Sequence, residues 1–320
     1  MAFRDIKGQE KIIEVLRNYM RASRLANTFL FVGPEGVGKK LVAQTFAKAL
    51  NCAGQQQDDS CDQCGSCRKI DANQHADVSI LGSDDEEIKI EQVRQLQASI
   101  NLRPYEARKK IFIIDNAHNL NPESSNAFLK TLEEPPQDSV IILLTAKPKM
   151  LFKTVISRCQ VLRFSGLARD VLDRILINEY AVERTQAHFL AYFCEGSLGK
   201  ALRLKEAGFL KNDRRGLEEL LRPSCWNIGK STEQNRQFLK TRLNMLAGWF
   251  RDMYMVKIGL AHDGLIHAQE QEELLRMMKR YSFSELDGIF NTICETLFNL
   301  ERNINVKLLI ANLQATIWKN

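Results

Sequence analysis

No apolar run in this sequence approaches the roughly 20 residues needed to cross a bilayer, and a membrane span is therefore excluded. The opening residues, MAFRDIKGQEKIIEVL, mix charge into an amphipathic pattern. They lack the apolar core and small-residue cleavage site of a secretory signal, so a cytoplasmic location is expected. Strong charge imbalance is also missing: 45 Lys+Arg stand against 39 Asp+Glu, a formal charge of +6 that permits phosphate contact without requiring it. What the chain does have is length and apolar content: 320 residues at 44% hydrophobic suffice for two or three domains, each with a core.

The eight cysteines are unevenly spread. Cys159, Cys194, Cys225 and Cys294 are scattered among apolar neighbours, whereas Cys52, Cys61, Cys64 and Cys67 are clustered. Without a secretory signal, such a cluster points to metal rather than to disulfides. Four thiolates complete a tetrahedral zinc site with no position for water, which makes the role structural. An iron–sulfur cluster is also allowed by ligand count. His75, nearby, reads as an ordinary loop histidine.

Continuous apolar runs at Thr28–Val32, Asp77–Leu81, Lys110–Asp115, Ser139–Ala146 and Gln160–Phe164 alternate with helical patterns. Continuous rather than alternating hydrophobicity, with helices interposed, predicts strands buried on both faces, hence an α/β domain with a mainly parallel sheet over residues 1–166. One helix is punctuated at both ends, with Asn121 as cap, Pro122 in the first turn and Pro135-Pro136 stopping it after Glu134. Beyond Gly166 the strand signals vanish. A short helical unit over 167–225 ends in a break at Arg222-Pro223-Ser224-Cys225, and longer helices follow over 226–320. In Phe238–Lys257 the residues Leu239, Leu243, Leu246, Phe250 and Met253 form one stripe, as do Val306, Leu309, Leu313 and Ile317 in the last helix.

Gly33-Pro34-Glu35-Gly36-Val37-Gly38-Lys39-Lys40 follows the first strand and opens a helix. This is the spacing and context of a phosphate loop: Gly33, Gly36 and Gly38 let backbone N–H groups curl around phosphate, and Lys39 reaches a terminal oxygen. The next position should carry the hydroxyl that ligates magnesium. Lys40 offers donors only. Asp115 ends an apolar strand as a carboxylate able to hold magnesium through water, but Asn116 follows where a glutamate would polarise the attacking water, and asparagine is no general base. ATP or ADP could still bind through the backbone and Lys39, while efficient hydrolysis is not expected.

These stretches, with Asp115-Asn116-Ala117-His118, Ala127–Pro136, Ser157-Arg158-Cys159 and Gly196-Ser197-Leu198, resemble the bacterial DNA polymerase III clamp-loader subunits, an AAA+ family. The resemblance covers roughly the first two-thirds of the chain and is nearest the delta-prime branch. It implies an AAA+ P-loop domain (1–166) carrying a zinc module at 52–67, a helical lid (167–225) and an all-helical oligomerisation collar (226–320). It implies Zn2+ as the metal. The implied partners are tau/gamma-type and delta-type subunits, a sliding clamp contacted indirectly, and primed DNA. In that family Arg158 matches an arginine finger offered in trans to a neighbouring ATP site. Thr145 matches a polar sensor, and Gly199 stands where active members carry a sensor arginine, with Lys200 on another side of the helix. An intact finger beside a disabled home site implies a subunit that assists hydrolysis on its neighbour. The alternatives are an ATP-hydrolysing tau/gamma-type or helicase-loading motor, and a small-molecule kinase. Arg103, Arg108, Lys109 and Lys110 are candidate DNA contacts, with a solvated basic face as the plainer reading.

Overall fold

The computed structural model describes residues 1–21, 26–54, 58–82, 87–206, 220–222, 226, 233–259, 264–267, 270–301 and 304–317. Two compact units emerge, Met1–Leu167 with Gly196–Lys200, and Ala168–Glu195 with Ala201–Asn320. The sequence break at Pro223-Ser224-Cys225 lies outside the described residues.

The first unit is built on β1 (Thr28–Val32), β2 (Val78–Leu81), β3 (Lys110–Ile114), β4 (Ser139–Thr145) and β5 (Gln160–Arg163). They form one sheet in the order β2-β3-β4-β1-β5, and every pairing is parallel. Successive strand residues point to opposite faces, so full burial along β1, β3 and β4 requires two cores. On one face Phe29, Phe31, Ile113 and Ile142 pack with Ile13 and Leu16 of α1 (Glu10–Arg21) and Phe46 of α2 (Lys39–Asn51). On the other, Leu30, Phe112, Ile114 and Leu143 meet Val93 and Leu96 of α4 (Ile90–Ile100) and Phe128 of α5 (Pro122–Glu133). Between α2 and β2 lies the short α3 (Gly65–Asp71), and before β5 comes α6 (Lys153–Ile156). Three of the continuous apolar runs, at β1, β3 and β4, are thus parallel strands covered on both faces as expected, whereas those at β2 and β5 form the parallel edges of the sheet and stay partly exposed. The helix α5 starts as its sequence specifies: the Asn121 side chain accepts from the Ser124 N–H at 2.7 Å and Pro122 occupies the first turn.

The second unit is helical among the described residues. It contains α7 (Arg169–Tyr180) and α8 (Arg184–Phe193). The helix α9 (Leu198–Glu206) begins inside Gly196–Lys200 of the first unit. Then come α10 (Glu233–Lys257), α11 (Gln271–Met278), α12 (Phe283–Glu301) and α13 (Val306–Ile317). Both apolar stripes are buried: Leu239, Leu243, Leu246, Phe250 and Met253 along α10, and Val306, Leu309, Leu313 and Ile317 along α13. No helix among the described residues is long and apolar enough to cross a membrane.

Candidate functional site

In a parallel sheet, ligands gather beyond the C-terminal strand ends. The loops after β1, β3 and β4 leave three neighbouring strands there, bringing together Gly33–Lys40, Asp115 and Thr145. Gly36 (φ +73°) and Gly38 (φ +97°) adopt the left-handed conformation that lets the loop curl onto the N-terminus of α2. Three loop carbonyls are held from within the first unit. The Ser197 hydroxyl donates to Glu35 O at 2.8 Å, Gly199 N–H to Gly36 O at 2.9 Å, and the buried Gln9 side chain to Val37 O at 3.1 Å. A Cβ on Gly199 would stand 2.8 Å from Gly36 O, so this approach admits only glycine.

Both lysines are engaged, Lys39 within the loop and Lys40 from its exposed side. Lys39 Nζ donates to Gly33 O at 2.6 Å and Pro34 O at 2.7 Å, and burial pushes its ammonium down to about 8 against the opposing pull of Glu35 and Asp115. Lys40 Nζ sits 3.1 Å from Asp115 Oδ2. The other carboxylate oxygen of Asp115 accepts the Asn116 N–H at 3.1 Å. Thr145, fully buried, faces His118 (Nδ1 to Oγ1, 3.2 Å) and accepts the Lys147 N–H at 3.0 Å. Burial first, then Lys147 and Lys39, lower the pKa of His118, which favours a neutral imidazole.

Arg158 lies elsewhere. It precedes β5, and β5 runs parallel to β1, so Arg158 stands at the sheet end opposite the phosphate loop that follows β1. Its guanidinium meets Glu133 through Nε at 2.8 Å and through Nη2, while Nη1 donates to Thr154 O at 2.9 Å. Both side chains remain partly exposed.

The clustered cysteines also come together. The four Sγ atoms of Cys52, Cys61, Cys64 and Cys67 lie within 4.8 Å of one another. Cys52 follows α2 and Cys64 caps α3. Backbone N–H groups point at three sulfurs: Gly54 and Cys61 at Cys52 (3.3 and 3.4 Å), Cys64 at Cys61 (3.3 Å) and Cys67 at Cys64 (3.4 Å). Burial raises the Cys64 thiol, but these N–H donors and its sulfur neighbours bring it down to about 6; N–H donors lower Cys61 as well. Such a quartet can hold a metal ion. Lys48, almost wholly buried, ties the cluster down by bonding Asp62 at 2.7 Å and Asp71 at 3.1 Å. His75 lies outside the quartet: its Nδ1 accepts the Asp77 N–H at 3.1 Å, leaving Nε2 for the Ser66 hydroxyl at 3.2 Å.

Sequence reasoning missed Gln9, Ser197 and His118 at the phosphate-loop end, and Glu133 beside Arg158. Each acts on a partner distant in sequence; His118, Ser197 and Glu133 lie inside motif stretches that the sequence offered without showing those partners, and Gln9 carried no local signal.

Residues 8–168 match the family described as DNA polymerase III, delta subunit, and residues 230–317 match the C-terminal part of the same subunit. The chain belongs to this family. Within it, the chain is 28% identical to DNA polymerase III subunit delta' of Bacillus subtilis, over 95% of this chain and 94% of that one. It is 35% identical to subunit tau of Escherichia coli over 66% of this chain and 33% of that protein. Against subunit gamma of Buchnera aphidicola the identity is 34% over 64% of this chain and 58% of that protein. The chain thus spans between a third and three-fifths of these tau and gamma relatives, and nearly all of the delta' relative.

Proposed function

We propose that this chain is a delta-prime-type subunit of a DNA polymerase III clamp loader, which helps load a sliding clamp onto primed DNA and lends Arg158 to a neighbour's ATP site. The observation that carries the reading is the position of Arg158, partly exposed at the sheet end opposite the chain's own phosphate loop. From there the guanidinium serves phosphate only on another molecule, where a charge supplied in trans stabilises the transferring phosphoryl group. The home site supports the same reading: Lys40 occupies Asp115, Asn116 supplies no base, and Gly199 is closed onto Gly36. Partners on this reading are tau/gamma-type and delta-type subunits.

The finer division of the helical part into a lid (167–225) and a collar (226–320) belongs to this proposal. On α12, Phe283, Phe290, Cys294 and Phe298 are exposed at helical spacing, a face suited to packing against other collars. Cys52, Cys61, Cys64 and Cys67 would hold one structural Zn2+. The ion would cross-link the end of α2 to the start of α3, with all four positions filled by sulfur.

An ATP-hydrolysing tau/gamma-type subunit is the second reading, favoured by the 35% identity to tau. Reconstitution with ATP-competent partners separates the two. Arg158→Ala is expected to lower hydrolysis at the site it faces by on the order of 10³-fold, seen as a fall in DNA-stimulated turnover by the complex with the melting temperature unchanged. Equal turnover in both complexes refutes the finger, and rapid magnesium-dependent turnover by the isolated chain establishes the second reading.

A further inference from the structure

We propose that the phosphate loop of this chain binds the polyphosphate of a nucleoside di- or triphosphate without a divalent metal, the Lys40 ammonium standing against Asp115 where the cation would. The proposal concerns binding alone and holds whether or not Arg158 acts on a neighbour.

The loop is built to present donors. Its carbonyls at Glu35, Gly36 and Val37 are bound by Ser197, Gly199 and Gln9, which fixes the side they face. The opening N–H groups of α2 have no partner within the helix, and the N-cap is Gly38, which has no side chain to cap them. Backbone N–H groups arranged in this way, with left-handed residues at Gly36 and Gly38, form an anion-binding concavity. Lys39 extends over the same loop, held only by the neutral carbonyls of Gly33 and Pro34. Exchanging those acceptors for charged phosphate oxygens strengthens its bonds.

The same end of the sheet is poorly made for magnesium. Magnesium demands near-octahedral oxygen ligands and is usually anchored by a carboxylate or two together with phosphate. Here position 40 has no hydroxyl, Asp115 Oδ2 is in an ion pair with Lys40, and Oδ1 accepts a backbone N–H. Lys40 is half exposed, at 50%, so its ammonium can contact a phosphate while still paired with Asp115. Lys39 and Lys40 thereby supply positive charge at the polyphosphate where a metal does so elsewhere, that of Lys40 shared with Asp115. Free nucleotide, more anionic than its magnesium complex, becomes the better ligand.

The test is calorimetric titration of the full chain with ADP, ATP and inorganic tripolyphosphate, in EDTA and in excess magnesium. Saturable binding of all three is expected in EDTA, unchanged or weakened by magnesium. Lys39→Ala should weaken it about tenfold or more. Lys40→Thr, which restores the hydroxyl, should weaken binding in EDTA by about tenfold and make magnesium strengthen it. Unchanged melting temperatures would show both variants folded, and Lys40, half exposed, tolerates replacement. Absence of saturable binding in EDTA, binding that requires magnesium, or a Lys40→Thr chain indistinguishable from wild type overturns the proposal.

Discussion

Gly199 offers a sharp test of why this site lacks a sensor arginine. A Cβ added there meets Gly36 O at 2.8 Å, Gly36 Cα at 3.1 Å and Gly36 C at 3.3 Å, all backbone atoms that cannot rotate aside. The clash adds to the threatened bond from Gly199 N–H to Gly36 O at 2.9 Å. Two effects compete in Gly199→Ala. Helix propensity favours alanine by at most about 1 kcal/mol, and by less in a first turn. Overpacking costs about 1–3 kcal/mol, and opening the hydrogen bond roughly 1 kcal/mol more. The balance is a loss of about 1–4 kcal/mol, or roughly 2–16 °C in melting temperature for a unit of this size. Gly288, inside α12, is the control: nothing lies within 4 Å of its added Cβ. Gly288→Ala should therefore stabilise by about 0.5–1 kcal/mol. Chemical and thermal denaturation followed by circular dichroism read both variants. A Gly199→Ala chain as stable as wild type, or more so, would refute the close approach. Gly199→Arg should be at least as damaging and should bring no hydrolysis, because the longer side chain starts from the same blocked Cβ.

Glu133→Ala should free the Arg158 guanidinium, and a surface pair worth about 0.2–1 kcal/mol predicts that hydrolysis by a reconstituted partner at limiting ATP rises by roughly 1.4- to fivefold; a fall would make Glu133 a support for the finger rather than a competitor. Metal analysis of the purified chain should return about one zinc per molecule, lost together with thermal stability when Cys61 and Cys64 become serine, whereas a folded metal-free wild type would defeat the assignment. The Lys39 amine, held down to about 8 by burial, is protonated more readily in the unfolded chain, so its contribution makes the fold more stable as pH rises from about 8 towards 10.5. Polyphosphate needs the ammonium form and should raise that pKa on binding. Titrations above pH 8 in buffers of different ionisation enthalpy should therefore report proton uptake, and no uptake at any pH would remove Lys39 from the contact.

Much of this was legible because the informative residues are contiguous. TFLFV, KIFII and SVIILLT each carry an unbroken apolar run after a polar first residue, and only a sheet covered on both faces consumes such a pattern. The Gly33–Lys40 loop and the cysteine cluster are equally local, so spacing alone singled them out as candidate sites. The relations between segments were not legible. Lys40 read simply as a missing hydroxyl, yet its ammonium has a definite place on Asp115. Gly199 read as an absent arginine, yet the position is closed by the backbone of Gly36. No periodicity pairs these residues: the first contact depends on the sheet bringing the ends of β1 and β3 to one region, the second on where the start of α9 meets the loop after β1. Glu133 was hidden for the same reason, since α5 and the segment after α6 meet only once the strands are laid down.

The three departures from an active site differ in kind, and the difference bears on what the site still does. Removing a hydroxyl, a glutamate and an arginine from such a site at random would leave an unpaired Asp115 beside buried polar backbone, and each unmet group would cost about 1–3 kcal/mol. Here the losses are closed internally: Asp115 has Lys40 and the Asn116 N–H, and the Gly36 carbonyl has the Gly199 N–H. The carbonyl side of the loop is thus stable without metal, water or nucleotide, while the N–H side at the start of α2 remains open. A loop rigid on one side and receptive on the other can hold a phosphate without acting on it, and that separation of binding from turnover is the physical content of the reading advanced for this chain.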